Sequence, residues 1–196
     1  SRRRHTRCLS DWSSDVCSSD LSLVNDGARA ALFEVVMNLP PAAGFTAIDQ
    51  EVRFKARATS LPGDAVSSIS VPYFGREIKV AGTRSFPQWS ITVINDENFR
   101  IRNNMEIWMS GLNAHVANLR SPGMAMSSMY QADAWVTQFA KTGQVIKQYK
   151  IVGAFPTDVS AIDLDWGSGD LIEEFAVTFD YQWWESLLPV PTTDGF

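Results

Sequence analysis

Cysteine and histidine are nearly absent from this 196-residue chain, with two of each. Cys8, Cys17 and His5 all lie ahead of Ser22, so the sequence after Leu21 has no thiol and one imidazole, His115. Without thiols there is neither a disulfide framework nor a thiolate zinc site. His115 stands beside no suggestive serine or acid, so a nucleophile with a histidine base is not in sight. Apolar runs are short, none near the ~20 residues that span a bilayer as a helix. Positive charge is scarce too: 17 basic residues against 22 acidic ones give a net charge of −5. That balance argues against a protein that grips nucleic acid by neutralising phosphates.

Ser1–Leu21 differs from the rest. It packs four arginines, both cysteines and six serines into a stretch without periodicity, and it lacks the apolar centre of a secretory signal. Its end, WSSDVCSSDL (Trp12–Leu21), back-translates into a sequence resembling the constant end of a common sequencing-library adapter. Residues 1–21 are therefore expected to be a translated artefact, standing where the natural N-terminus would be, and are left out of the fold. Removing four arginines and three aspartates leaves 13 basic and 19 acidic residues and a net charge of −6. The remaining length suits one domain, expected over 22–185, with an irregular tail over 186–196.

What the chain does have is alternation. In Ala30–Asn38, Phe33, Val35 and Met37 share a face. In Glu51–Ala58, Val52, Phe54, Ala56 and Ala58 oppose Glu51, Arg53, Lys55 and Arg57. Short strands follow at Val66–Val71, at Glu77–Ala81 with Ile78 and Val80 inward, and at Pro87–Ile94 with Trp89, Ile91 and Val93 inward. Ile101, Met105, Trp108, Met109 and Leu112 recur at helical spacing, predicting one helix over Glu97–Leu112 capped by Asn95 or Asp96. Strands over Tyr130–Phe139 and Val145–Val152 flank a short turn containing Gly143. A last strand, Leu171–Trp184, sets Phe175, Val177, Phe179, Tyr181 and Trp183 on one face. The fold class is mainly β, an antiparallel sandwich or barrel with one packed helix. Its expected core is Phe33, Phe54, Trp89, Ile91, Met105, Trp108, Phe175, Val177 and Phe179.

Candidate chemistry is thin. In Asp163–Glu174, Asp163, Asp165 and Glu174 take positions one, three and twelve of a calcium loop. However, Gly167 and Ser168 occupy positions that want a ligand and the turn glycine. The plainer reading is a connecting loop with Trp166 packed down. Asp170 and Glu173 offer a carboxylate pair, but acids near a turn are usually solvated. Trp183–Trp184 resembles a sugar-stacking platform; on an alternating strand, though, only one ring faces out, and an outward Trp more often marks an interface. No catalytic residue, metal or cofactor is expected.

The order of several short motifs says more than any of them alone. Lys55–Ala56 and Leu61–Pro62 are followed by Val71–Pro72 and by Arg76-x-Ile78-x-Val80–Ala81–Gly82. Then come Phe86-x-x-Trp89-x-x-Thr92–Val93 and Asn95–Asp96–Glu97. The series resumes with Phe155–Pro156–Thr157, Leu164–Asp165–Trp166, Phe175–Ala176–Val177–Thr178 and Trp184–Glu185. Over roughly Ala28–Glu185 this resembles the tail tube proteins of contractile-tailed, T-even-like bacteriophages. The resemblance implies six-membered rings whose sheets join into one inner barrel, stacked head to tail inside a contractile sheath as a conduit for DNA. Implied partners are further copies of the chain, the sheath, the baseplate and a tube-terminating protein. DNA would pass without specific binding, with no stable membrane association, and the protein would reside in the virion tail, or the host cytoplasm during assembly. Contacts between subunits or rings are expected at Arg57, Leu61, Pro62, Arg76, Val80, Ala81, Gly82, Pro156, Asp165 and Trp166. Two other readings stay open: a tube protein of a related contractile injection or secretion system, and a carbohydrate-binding β-sandwich module.

Overall fold

A computed structural model describes residues 27–40, 55–167 and 171–187. Strands β1 (Phe33–Asn38), β2 (Ala56–Thr59), β3 (Ala65–Tyr73), β4 (Arg76–Ser85) and β5 (Trp89–Ile94) precede helix α1 (Arg100–Leu112). A 3-10 turn (Pro122–Met124) and a short helix α2 (Ser127–Tyr130) lead into β6 (Ala132–Phe139), β7 (Val145–Val159), β8 (Glu174–Asp180) and β9 (Trp183–Ser186). One antiparallel sheet runs in the order β1-β6-β7-β8-β5-β2, with β9 also paired to β7; β3 and β4 form a separate two-stranded sheet. The barrel is open. Among the described residues the large sheet ends at β1 on one side and β2 on the other.

β7 belongs to both halves of this sheet. Its first part pairs with β6 and β9 and its last part with β8. The sequence expectation stopped this strand at Val152, whereas it runs on to Val159. Gly153 is a bend within it, with φ +68. Its N–H donates to Asp133 Oδ1 at 3.2 Å, and a Cβ there would meet Gln182 Cγ at 2.9 Å. Glycine suits a position needing both a left-handed backbone and close approach.

The bend fills the space between the two halves with one core. Val35, Met37, Ala134, Val136 and Ile151 enter it from the β1-β6-β7 side, and Trp89, Ile91, Val93, Phe175, Val177 and Phe179 from the β5-β8 side. Helix α1 closes it with Ile101, Met105 and Trp108. The indole N–H of Trp108, fully buried, donates to the Tyr130 carbonyl at 2.9 Å, so its one polar atom is not orphaned. Phe33 is half-buried and packs on this cluster. Phe54 falls outside the described residues.

Several expectations are corrected. The strand expected at Glu51–Ala58 is β2, Ala56–Thr59: Lys55 is helical, and Glu51–Phe54 lie outside the described residues. A register shift between Ala56 and Ala58 leaves Ala56 half-buried and Ala58 exposed, breaking the alternation. Helix α1 begins at Arg100 rather than Glu97, after Phe99 at φ 52, with no side-chain cap. Asn95 donates to Glu173 at 2.9 Å, while Asp96 pairs with Lys55 and also meets the backbone of Arg100, the first residue of α1.

The last strand breaks at Tyr181–Gln182, where the chain follows the bend of β7. The break resets the alternation: Trp184 turns toward the core and Trp183 outward, reversing the expected phase. Ser186, expected in the tail, is the last residue of β9, while 188–196 lie outside the described residues. Residues 1–21 do too.

Candidate assembly surfaces

Val66–Val71 and Glu77–Ala81 were expected to be short core strands, the second with Ile78 and Val80 inward. They are longer and belong to an arm. β3 and β4 pair only with each other among the described strands, and every residue of both is exposed except the half-buried Gly82. Phe74 and Gly75 form the tip, with φ of 46 and 78, the positive values a two-residue type I′ hairpin requires. Phe74 is 91% exposed and stands edge-on to Tyr73.

The register decides which side chains share a face. Ile69 pairs with Val80, Val71 with Ile78 and Tyr73 with Arg76; Ser70 with Lys79 and Pro72 with Glu77. Directly opposed residues point the same way. One face of the arm therefore carries five apolar residues, Ile69, Val71, Tyr73, Ile78 and Val80, with Arg76 beside Tyr73 near the tip, and the other is largely polar. All five are 42–55% exposed. Ile78 and Val80, expected to face inward, are exposed, and among the described residues no other element pairs with the arm.

The expected contact residues fall at several places. Arg76, Val80, Ala81 and Gly82 are on β4. Leu61 and Pro62 lie at the arm's base, Leu61 exposed and Pro62 buried. Arg57 is on β2 and forms an ion pair with Glu174 of β8. Pro156 is buried in β7, paired with Phe179. Asp165 and Trp166 lie in the β7–β8 loop, where Asp165 Oδ1 accepts the Gly167 N–H at 3.0 Å. Trp166 does not pack down; it is fully exposed, as a turn stapled by its neighbour's carboxylate holds it outward. The structure brings the β4 residues together with Leu61–Pro62 along one arm and leaves Asp165–Trp166 on a separate loop. The sequence reading did not name Ile69, Tyr73 or Phe74 as contacts, and Phe74 at a left-handed position is not one of the residues that signal a two-residue hairpin.

Among the described residues no group of three or more His, Cys, Asp or Glu side chains could hold a metal. His115 is exposed on a turn after α1. An open depression beside the C-terminus of α1, lined by Asn113, Asn118, Arg120 and Ser121 among others, has no carboxylate, thiol or imidazole in its wall. The Lys55 ammonium, hydrogen-bonded to Asp96, holds that carboxyl below its ordinary 3.8. Burial, with the nearby Asp64 charge, raises the Tyr181 phenol above its ordinary 10.0.

Open sheet edges and an amphipathic arm are the equipment of a structural subunit that associates through strands. The comparisons name the class. The sequence matches the phage tail tube protein family over residues 28–187, and the chain belongs to that family. It is 34% identical to tail tube protein gp19 of Enterobacteria phage T4 over 161 residues, 82% of this chain and 92% of that protein. The tail tube protein of Serratia phage KSP90 is 28% identical over 153 residues, 78% and 85% of the two chains. Among solved structures, a chain of the tube-terminating cap of the anti-feeding prophage superposes with TM-score 0.60 at 16% identity, covering 87% of this chain and 97% of that one. A chain of the sheath/tube terminator of an extracellular contractile injection system gives 0.59 at 13% identity, covering 82% and 96%.

Proposed function

We propose that the chain is the repeating subunit of the tube in a contractile phage tail, joining its own copies into stacked six-membered rings that form the conduit for DNA. The observation that carries this reading is the apolar face of the β3–β4 arm, about half exposed among the described residues of a tail tube family member. Burying a Val, Ile or Tyr side chain of this kind contributes roughly 1.5–3 kcal/mol. A face of several such residues left in water is a cost unless another molecule covers it. The occupant of choice is a second copy, because a tube repeats one chain and each copy brings both arm and docking surface. The arm carries four of the ten contact residues named from the sequence, with Leu61 and Pro62 at its base; Asp165 and Trp166 offer a second contact between rings.

The edges at β1 and β2, where the sheet of described strands ends, supply the other connection. An edge strand offers unpaired N–H and C=O groups to a neighbour, and two edges per subunit with a closing rotation make a ring. Main-chain bonds would then extend the sheet from copy to copy. The sheath, the baseplate and a terminating protein are the partners this role requires, with assembly in the host cytoplasm before incorporation into the virion. The net negative charge suits a wall that lets phosphates pass. The role needs no catalytic group or cofactor. Negative-stain electron microscopy of the purified protein tests the reading: rings or hollow tubes of uniform width support it, and monomers at every concentration in the presence of a baseplate initiator overturn it.

A further inference from the structure

An arm without cover along its length swings freely unless its root is held. Here the root is held by side chains from outside the arm. The incoming leg, residues 60–64, meets the body at two carbonyls. The Trp89 indole of β5 donates to the Ser60 carbonyl at 2.9 Å. The Gly63 carbonyl accepts twice, from the Trp184 indole of β9 at 3.1 Å and from the Tyr181 hydroxyl at 3.4 Å. The Tyr181 ring also lies 6.0 Å from that of Phe86 on the outgoing leg, so one side chain spans both legs. Asp64 and Arg84 close the root with an ion pair at 3.4 Å. Trp184 is itself aimed by an edge-on contact with Tyr149 of β7, centroids 5.4 Å apart.

Trp89 has a core role that accounts for its presence. Tyr181 and Trp184 also pack against the core cluster, yet each carries a polar atom that the core does not use. Both follow β8, where the chain has already broken to track β7, and both send a donor out of the body to the same arm carbonyl. A donor pair converging on one acceptor fixes a direction as well as an attachment. Ordering a segment before it docks removes that cost from association.

We propose that Tyr181 and Trp184 are positioning residues that fix the direction of the β3–β4 arm in the free subunit, so that the arm meets a second copy of the chain preorganised. The consequence for assembly rests on the tube reading above; the direction of the arm does not. The test uses the full chain with Cys8 and Cys17 replaced by serine and spin labels at Ser70 on the arm and Asn103 on α1, both exposed. Electron–electron distances are recorded on dilute, unassembled subunits. The parent should give one narrow distance distribution. Trp184→Phe combined with Tyr181→Phe, which keeps an aromatic ring at each position and removes both donors, should broaden it by about twofold or more, while Trp184→Phe alone, which makes the same loss of indole volume but leaves the Tyr181 donor, should broaden it less. An unchanged distribution in the double variant, or a broad one in the parent, overturns the proposal. Because the readout is taken before assembly, failure of the latch and failure of the tube reading are told apart: subunits that never form tubes can still show a fixed arm. In assembly assays the double variant should raise the concentration needed for tubes, and restoring Trp184 alone should recover part of the loss.

Discussion

Single residues set the limits on this fold most clearly where the backbone has no alternative. Gly153 carries φ +68 at the bend of β7, and an added Cβ would meet Gln182 Cγ at 2.9 Å. Gly153→Ala should therefore destabilise the subunit by about 1–3 kcal/mol, read as a lower urea midpoint, combining left-handed strain with overpacking. Asp96 gives a pH prediction. Its folded pKa lies below the ordinary 3.8 because Lys55 hydrogen-bonds the carboxylate. Below pH 3.8 the unfolded chain binds that proton more readily than the folded one. The stabilisation is thus complete above pH 3.8 and is lost as pH falls through the folded value. Asp96→Asn should flatten that part of the acid unfolding curve while lowering stability at neutral pH. The ion pair was not legible in the sequence. Asp96 read as a helix cap, since Asx residues before an apolar helical pattern usually are; a partner 41 residues away is invisible to local pattern.

At the scale of elements, period was a good guide to type and a poor guide to surroundings. The helical recurrence of Ile101, Met105 and Trp108 located α1, and those same residues are its buried face. The alternation of Trp89, Ile91 and Val93 likewise located β5. The final stretch failed where tertiary geometry intervened: the bend of β7 forces the break at Tyr181–Gln182 and resets the phase of Trp183 and Trp184. For β3–β4 the alternation located strands, but Ile78 and Val80, expected inward, are exposed. That difference makes a prediction. Ile69→Asp or Val80→Asp places a charge on the arm's apolar face, where a neighbour would have to desolvate it. Either change should abolish tubes while leaving the subunit's thermal midpoint within a few degrees, since both positions are about half exposed in the free chain. Ser70→Asp, on the polar face, should leave tube formation much less affected. Calorimetry with electron microscopy checks all three.

For the molecule as a whole, the order of motifs carried the family and the scarcity of catalytic side chains was consistent with it. Contacts between copies were less legible. Leu61 and Pro62 are adjacent in sequence, yet one is exposed and the other buried, and only the fold separates them. The central claim is that copies join through sheet edges and arms. A helical cryo-electron microscopy reconstruction of assembled tubes tests it most directly. The account predicts strands hydrogen-bonded across each subunit boundary at the β1 and β2 edges, with Ile69, Val71, Ile78 and Val80 covered by a neighbouring copy. Tubes in which both edges remain unpaired and that face of the arm stays in solvent would contradict it.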